Sequence, residues 1–401
     1  MSEYLRFTVC MLRAGLTGSR AYYTWLGTLL AGVLAGIFAY ALQLRRGLAV
    51  TNMSDQVSWG AYIANFTFLV GIAAAAVLLV VPAYVYKRSE IKRVVLLGEL
   101  LATSAIVMCL LFVTVDLGRP DRLLHMLPGI GRLNFPRSIL AWDVVVLSVY
   151  LLLNLHIPSY LLFAHFRGKP PAASYYRPFV FLSIGWALSI HTVTAFLYSG
   201  LGGRPFWNTA ILAPRFIVSA FASGPALLIV VFWSIDRFTS HPVRQEVFSF
   251  LKATLRFTLP LNYFLLACEL FTEFYTNSAH TISARYLFWG IEGHALLKPY
   301  IWSSLILGGC SLAIFLWPRL YRSQPLTLLG SVLCVVAIWI EKGMGLIVPG
   351  FIPSPAGDLV EYAPSWIEAL VCLGIWCTGA LIFSAMAKSA IALTAADQAK
   401  A

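Results

Sequence analysis

Apolar residues dominate this chain in long unbroken runs instead of alternating with polar residues. Ten runs reach about twenty residues, the length an α-helix needs to cross a hydrocarbon core of about 30 Å. The alternating pattern of a membrane β-barrel is absent. The pattern therefore predicts an all-α polytopic membrane protein with ten transmembrane helices. The predicted spans cover residues 22–44, 59–85, 92–115, 138–164, 177–201, 210–236, 256–277, 297–317, 325–348 and 364–390.

Composition agrees with this interpretation. Of the 401 residues, 59% are hydrophobic and 11% are charged, whereas a soluble domain carries about 25% charged residues. The predicted connections are too short to hold a soluble domain, so residues 1–401 are expected to form a single integral membrane domain. The first twenty or so residues lack the long apolar core of a secretory signal. They favour a short amphipathic surface helix instead.

The distribution of lysine and arginine predicts the orientation of the chain. The termini and the loops on their side hold about twice as many basic residues as the loops on the other side. Since basic loops stay in the cytoplasm, both termini are expected to be cytoplasmic and the membrane to be the inner one. The net charge of +12 is then explained by membrane orientation, and nucleic-acid binding is not implied.

Neither cysteine nor histidine is arranged as a ligand set for a redox centre. The seven cysteines lie mostly in apolar runs without a CxxC spacing, which is typical of small buried residues. His156 and His191 are the histidines within predicted spans, and on antiparallel helices their depths differ by about 12 Å at 1.5 Å per residue. We therefore expect no haem or iron–sulfur cluster in this chain.

Ionisable residues inside a membrane span are functional candidates, and most of them here fall near the outer face. His191 and Tyr198 are two helical turns apart and share a helix face, as do Glu269 and Glu273. The alternative is ordinary helix-to-helix hydrogen bonding and snorkelling. The predicted outer polar region consists of Asp116, Asp143, His191, Tyr198, Glu269, Glu273, Glu341, Lys342 and Glu368.

The inner half of the membrane is predicted to hold few polar residues. Glu99, Asn154 and His156 are its main members. They are candidates for a water-filled proton path from the cytoplasm, with Glu269 and Glu273 as further members in the other half. Asn154 alone would equally serve as interhelical hydrogen bonding, and Glu341 and Lys342 would simply neutralise each other.

Four stretches of the chain resemble those of a known family in amino-acid sequence and in order. The chain is identified as a member of the NrfD/PsrC family, the quinone-interacting membrane subunits of respiratory complexes. It most resembles the DsrP branch, which is tied to dissimilatory sulfur metabolism, although Hmc-type and alternative complex III relatives stay open. The stretches are WGAYIANFTFLVGIAAAA (59–76), DLGRPDRLLHML with RSILAWD (116–143), SIHTVTAFLYSGLGGRPFWNTAILAPRFIVSAFASGPAL (189–227) and NYFLLACELFTEFY (262–275).

The resemblance implies two four-helix bundles, formed by spans two to five (59–201) and six to nine (210–348), with peripheral helices at 22–44 and 364–390. It implies a menaquinone or ubiquinone site in the first bundle near the outer face. It also implies an outer ferredoxin-like iron–sulfur partner, a cytochrome b subunit and a cytoplasmic iron–sulfur catalytic subunit. The chain would then be one subunit of a quinone-linked oxidoreductase, not a complete enzyme.

The resemblance carries over to particular residues. Tyr198 matches the position of a quinone-contacting tyrosine, and Arg204 and Trp207 follow it in the matching RPFW segment. In the second span, the aligned quinone-contact positions are Ile63 and Phe66 here, which departs from the polar pair of polysulfide reductase. Their polar neighbours Tyr62 and Asn65 are therefore the candidates for quinone contact in that span.

Acid–base groups must lie within hydrogen-bond reach of a quinone, because its redox chemistry moves protons as well as electrons. The candidates are Asp143, His191 and Asp116, and the first two match family positions. Arg119 and Arg204 are predicted to hold these acids and to anchor a partner's acidic surface.

Two other functional classes stay open. A passive membrane anchor would make the intramembrane acids dispensable. A secondary transporter would place paired broken helices at the membrane midplane, and the prolines here give no matching pair in the first half of the chain. A quinone site in the second bundle near Glu269 is a further alternative to the first-bundle site.

Overall fold

The computed structural model describes residues 3–127, 129–239, 241–278 and 280–398, and over these residues the protein is α-helical apart from an isolated bridge between Ile291 and His294. Its helices are α1 (Glu3–Leu16), α2 (Arg20–Arg46), α3 (Ala61–Ala75), α4 (Val77–Val80), α5 (Ser89–Lys92), α6 (Val95–Asp116), α7 (Ile139–Phe166), α8 (Ala173–Ser199), α9 (Leu212–Phe238), α10 (Gln245–Thr276), α11 (His280–Phe288), α12 (Lys298–Leu316), α13 (Pro318–Tyr321), α14 (Gln324–Lys342) and α15 (Trp366–Gln398).

The all-α polytopic fold is confirmed. Within the described residues, nine helical segments are long and apolar enough to cross a membrane. The predicted span that is not among these nine is the seventh, 256–277, which lies in α10, whose 32 residues give a length of about 48 Å at 1.5 Å per residue. Buried Asn262, Glu269 and Glu273 make this helix less apolar than the others, and their burial shows that its polar face packs against protein.

Eight of the long helices are grouped by their contacts into two four-helix bundles. α3, α6, α7 and α8 pack around one another, and α9, α10, α12 and α14 form the second group. α9 also packs against α3 and α8, which joins the bundles, while α2 and α15 pair with each other outside them and α15 rests on α6. The polar side chains that matter below therefore lie either inside a bundle or in the seam between the two.

The second predicted span does not run as one regular helix. It consists of α3, α4 and a π-helical segment, Val81–Val85. Pro82 lies in that segment, and proline removes a backbone donor and disturbs the ladder of a helix interior. Beside the break, Gly224 of α9 packs against Ala75 so closely that any β-carbon would overlap it.

The ninth predicted span ends earlier than the apolar pattern indicates. The pattern extends to residue 348, but α14 ends at Lys342 and residues 343–351 fold into turns and a short 3-10 helix, Pro349–Phe351. Gly343 follows the last residue of the helix. A β-carbon at this position would lie 2.7 Å from the Trp339 carbonyl oxygen, so glycine avoids a close contact there. The apolar loop that follows packs against Trp207 instead of continuing as helix.

We predict that Gly36→Ala destabilises the protein by about 1–3 kcal/mol through overpacking between α2 and α15. A β-carbon at Gly36 would lie 2.6 Å from the Gly374 α-carbon. Gly27→Ala in the same helix is the matched control, since nothing lies within 4 Å of its β-carbon position. Thermal unfolding of the purified chain in detergent measures both, and equal melting temperatures for the two variants would contradict the α2–α15 packing.

Candidate functional site

Tyr198 lies fully buried near the C-terminal end of α8, at the seam between the bundles. Its hydroxyl is 2.6 Å from Thr67 Oγ1 of α3, and its ring is 0% exposed. Its ring contacts Trp59, Trp207 and Phe216 at centroid distances of 5.8, 5.5 and 6.0 Å. Tyr198 is therefore the centre of an aromatic cluster to which three separate segments of the chain contribute.

The loop after α14 closes this cluster. Trp207 donates its indole N–H to the Leu346 carbonyl oxygen at 2.7 Å, and the Phe351 ring packs edge-on against Trp207 at 5.0 Å. Gly350 lies directly on the indole, where a β-carbon would overlap the ring. The sequence pattern predicted helix up to residue 348, so it gave no signal that residues 346–351 cover the site.

The two arginines predicted to hold the intramembrane acids have other partners. Arg204 stacks over the Phe351 ring at 4.5 Å and donates to the Phe351 carbonyl oxygen at 3.4 Å. Arg119 forms an exposed ion pair with Asp121 at 2.9 Å, and its hydrogen bond holds the pKa of Asp121 below the ordinary value. Partial burial lowers the pKa of Arg204. These contacts do not include the intramembrane acids that the two arginines were predicted to hold.

Asp143 and His191 lie on the same side of the first bundle as Tyr198. Asp143 Oδ1 of α7 accepts a hydrogen bond from Thr194 Oγ1 at 2.8 Å, and Thr194 lies between His191 and Tyr198 along one face of α8. His191 Nδ1 is 3.2 Å from the Ala187 carbonyl oxygen. His191 Nε2 is buried and has no hydrogen-bond partner among the described atoms.

Tyr62 and Asn65 point away from Tyr198. The Tyr62 hydroxyl donates to Gln43 Oε1 of α2 at 2.6 Å. Asn65 Oδ1 accepts from the indole nitrogens of Trp339 and Trp376, both at 2.9 Å, and its amide donates to the Ala61 carbonyl oxygen at 2.8 Å. The prediction of these two residues as quinone contacts is not supported, because their polar atoms tie α3 to α2, α14 and α15.

Asp116 is the C-terminal residue of α6 and lies close to a second carboxylate. Glu368 accepts from the Tyr362 hydroxyl and from the backbone N–H groups of Asn52 and Ser365, both at 2.9 Å. Asp116 interacts electrostatically with Glu368 and with Tyr198, and its Oδ1 is buried without a hydrogen-bond partner among the described atoms. Glu368 is thus satisfied by the protein, whereas Asp116 keeps an oxygen available.

The second bundle holds a buried charge cluster that the sequence analysis did not assemble. Arg215 of α9 pairs with both Glu269 of α10 and Glu341 of α14. Lys342 donates to the Phe216 carbonyl oxygen at 3.1 Å and interacts electrostatically with Glu341. Arg215 was visible as a charged residue inside a span, which is itself a functional signal, but its partners are distant in sequence.

Phe216 connects the charge cluster to the Tyr198 site. The Lys342 ammonium lies 4.0 Å from the Phe216 ring centroid, and the same ring contacts Tyr198. Lys342 also interacts electrostatically with His191. The outer polar region predicted from the sequence therefore has two parts, one in each bundle, that meet at Phe216.

Glu99 and His156 of the first bundle have different surroundings. Glu99 is 3% exposed, and both of its carboxylate oxygens lack a hydrogen-bond partner among the described atoms. Thr103, one turn along α6, donates to the Asn154 carbonyl oxygen at 3.0 Å. The His156 side chain is exposed on α7, and its Nε2 atom lies 3.2 Å from the Tyr175 hydroxyl.

Comparison with known proteins identifies the family. The profile of the polysulphide reductase family NrfD matches residues 49–351. This protein belongs to the NrfD family. It is 28% identical over 400 residues to a putative dimethyl sulfoxide reductase membrane subunit of Halobacterium salinarum, and the match covers 90% of this chain and 89% of that protein.

Two further relatives are also subunits of redox enzymes. An Hdr-like menaquinol oxidoreductase integral membrane subunit of Archaeoglobus fulgidus is 25% identical over 385 residues, which is 92% of this NrfD-family chain and 93% of the relative. A selenate reductase subunit of Mesobacillus selenatarsenatis is 22% identical over 245 residues, which is 53% of this chain and 56% of the relative.

A quinone fits the residues present at the Tyr198 site. A quinone ring needs hydrogen-bonding groups at its oxygens and flat apolar walls. The buried His191 Nε2 without a partner and the Tyr198 hydroxyl supply the first, and Trp59, Trp207 and Phe216 supply the second. By contrast, no group of three or more His, Cys, Asp or Glu side chains within the described ranges is arranged to hold a metal ion.

We predict that Arg215→Gln lowers the free energy of unfolding by about 3–5 kcal/mol, because it leaves buried carboxylates without their cation. Arg285→Gln, at an exposed arginine of α11, should have little effect. Denaturant or thermal unfolding of the purified chain measures both changes. Unfolding of Arg215→Gln at the wild-type midpoint would show that Glu269 and Glu341 do not depend on this arginine.

Proposed function

We propose that this protein is the quinone-binding membrane subunit of a respiratory redox complex, with its site in the first bundle near the outer face. It would exchange electrons between the membrane quinone pool and an iron–sulfur partner outside. The observation that supports this most is the buried, unpartnered His191 Nε2 on the helix face that also carries Tyr198. The menaquinol oxidoreductase subunit among its relatives agrees with a menaquinone or ubiquinone ligand.

The roles of individual side chains follow from their contacts. Tyr198 and His191 would hold the quinone ring through hydrogen bonds, and Thr67 fixes the direction of the Tyr198 hydroxyl. Thr194 holds Asp143 beside them, so Asp143 is placed to exchange a proton with the site. Trp207 excludes water from one side of the site. The quinone, when bound, supplies the two-electron chemistry that this chain's own side chains lack.

Asp116 has a different position in the proposed mechanism. Its unpartnered Oδ1 lies at the outer end of α6, beyond the satisfied carboxylate of Glu368 and within electrostatic range of Tyr198. A carboxylate there is suited to pass protons between the Tyr198 site and the outer aqueous phase. The half-buried Trp59 and Arg204 lie on the same outer side and line the approach to the ring.

The outer loop between α6 and α7 is the proposed docking surface for the iron–sulfur partner. It exposes four arginines and one paired acid, Asp121, which favours an acidic partner surface. It also exposes apolar side chains, and exposed apolar groups beside charges are typical of interfaces. The arginines are Arg119, Arg122, Arg132 and Arg137, and the apolar residues are Leu124, Leu127, Ile130 and Phe135.

Several finer assignments rest on the resemblance and on the charge count. These are the DsrP branch with its link to sulfur metabolism, the inner membrane with both termini in the cytoplasm, and the cytochrome b and cytoplasmic iron–sulfur partners. The reductase subunits among the relatives agree with a place in a multisubunit complex. A passive anchor is the competing function, and it would leave the unpartnered His191, Asp116 and Glu99 atoms without a role.

Proton uptake from the inner side is proposed to begin at Glu99. Its carboxylate has no hydrogen-bond partner among the described atoms and lies inside the first bundle beside Thr103 and Asn154. His156 is left out of the proposed path, because its side chain is exposed on the surface of α7. In the second bundle, Glu269 is held by Arg215, so Glu269 and Glu273 would conduct protons only if that ion pair rearranged.

We predict that Tyr198→Phe lowers quinol oxidation by the assembled complex at least tenfold, because it removes a hydroxyl from the ring site. Asp143→Asn should lower turnover by a similar factor. Tyr62→Phe is the matched control, since the Tyr62 hydroxyl bonds to Gln43 away from the site. Steady-state oxidation of a quinol analogue, with subunit content checked on gels, measures all three.

If Tyr62→Phe lost as much activity as Tyr198→Phe, the quinone site would have to lie on the α2-facing side of α3. Full activity in both Tyr198→Phe and Asp143→Asn would contradict the first-bundle site and favour the anchor or a site near Glu269.

We predict that Glu99→Gln abolishes proton uptake from the inner side during quinone reduction, which consumes two protons with the two electrons delivered by the iron–sulfur partner. His156→Gln should leave proton uptake unchanged. The measurement is the pH change inside proteoliposomes of known orientation during quinone reduction. Equal proton uptake from the inner side by wild type and Glu99→Gln would show that the protons reach the quinone by another path.

A further inference from the structure

An apolar groove opens in the seam between the two bundles, at the end of the membrane opposite the Tyr198 site. It has a volume of about 410 Å³ and is lined by Leu78 of α4, Val81 and Pro82 of the π-helical segment, Phe221 of α9, Phe250 of α10, and Arg88. This volume falls within the range of about 300–1,000 Å³ that is usual for small-molecule sites.

The groove follows from how α3 and α9 separate. Gly224 packs against Ala75 without room for a β-carbon, and Gly71 contacts Ala220 one turn further out. Regular helix ends at Ala75, and the α4 and π-helical residues beyond it form one wall of the groove. The space is therefore built into the backbone path of the chain and does not depend on the rotamer of one side chain.

Positive charge surrounds the mouth of this groove. Arg88 lines it and is exposed, and Arg88 and Arg244 both interact electrostatically with Glu90, the acid of this inner loop. The same loop also carries Lys87, Lys92 and Arg93, so the mouth keeps a net positive charge. A smaller groove of about 250 Å³ on the same side, between α9, α10 and α14, likewise carries Lys252 and Arg322.

We propose that this groove binds an anionic phospholipid, with an acyl chain against Leu78, Phe221 and Phe250 and the phosphate at Arg88. Apolar walls with a cationic mouth match an amphipathic anion, and basic pockets between helices on the cytoplasmic side are typical sites for such headgroups. A free phosphate would leave the apolar walls uncovered, and a quinone tail would bring no anion to the cationic mouth. The lipid would then fill the space in the seam between α4, α9 and α10.

The test uses the purified full-length chain, stripped of lipid in mild detergent and titrated with phosphatidylglycerol. Phosphatidylcholine with the same acyl chains is the zwitterionic comparison, and inorganic phosphate is the anion without chains. Native mass spectrometry measures the bound lipid. The variants are Arg88→Gln, which removes the charge, and Leu78→Phe, which fills the groove; Arg177→Gln, at an exposed arginine at the inner end of α8, is the matched control.

Wild type and Arg177→Gln should bind phosphatidylglycerol more tightly than phosphatidylcholine. Arg88→Gln should weaken phosphatidylglycerol about fivefold, the effect expected of one basic residue near a membrane surface, and leave phosphatidylcholine unchanged. Leu78→Phe should weaken both lipids. Equal affinity of wild type for the two lipids, equal behaviour of Arg88→Gln and Arg177→Gln, or displacement of the lipid by inorganic phosphate at comparable concentration would each overturn the proposal.

Discussion

A polar side chain inside a bilayer has to be satisfied by the protein, because the hydrocarbon core offers it no hydrogen bonds. That constraint divides the buried polar residues of this chain into two groups. Asn65 and Tyr62 have full sets of partners that tie helices together, and Arg215 is held between two glutamates. His191 and Glu99 are buried in the first bundle with polar atoms that the described protein does not satisfy.

The two bundles meet at Phe216. Phe216 touches Tyr198 of the first bundle and the Lys342 ammonium of the second, and Lys342 acts electrostatically on His191. The proposed quinone site is thus adjacent to a fixed set of charges that it does not contain. Asn262 of α10 also has buried amide atoms without described partners.

The fold could be predicted from the sequence because membrane spans are recognisable by length and apolarity. The ends of the helices could be predicted less well. The apolar run through residue 348 hides a helix end at Lys342, since the loop that follows is buried against Trp207 and is as apolar as a span. Pro225 and Pro260 interrupt the pattern but lie inside continuous helices, because neighbouring helices support the backbone there.

The candidate site could be predicted in part. Helical spacing put His191 and Tyr198 on one face, and depth put Asp143 beside them. Spacing gives no information on which face of α3 meets which neighbour, so Asn65 was assigned to the ring although it faces α14 and α15. The pairing of Arg215 with Glu341 joins residues 126 positions apart, and such contacts depend on the packing of whole helices.

The most direct test of the first-bundle site is photo-crosslinking with an azido-quinone, followed by mass spectrometric mapping of the labelled peptides. A quinone bound in the first bundle would label the α8 segment that carries His191 and Tyr198 and the α3 segment around Thr67. Excess quinone would displace this label. Displaceable label confined to the α10 segment around Glu269, or label that quinone does not displace, would contradict it.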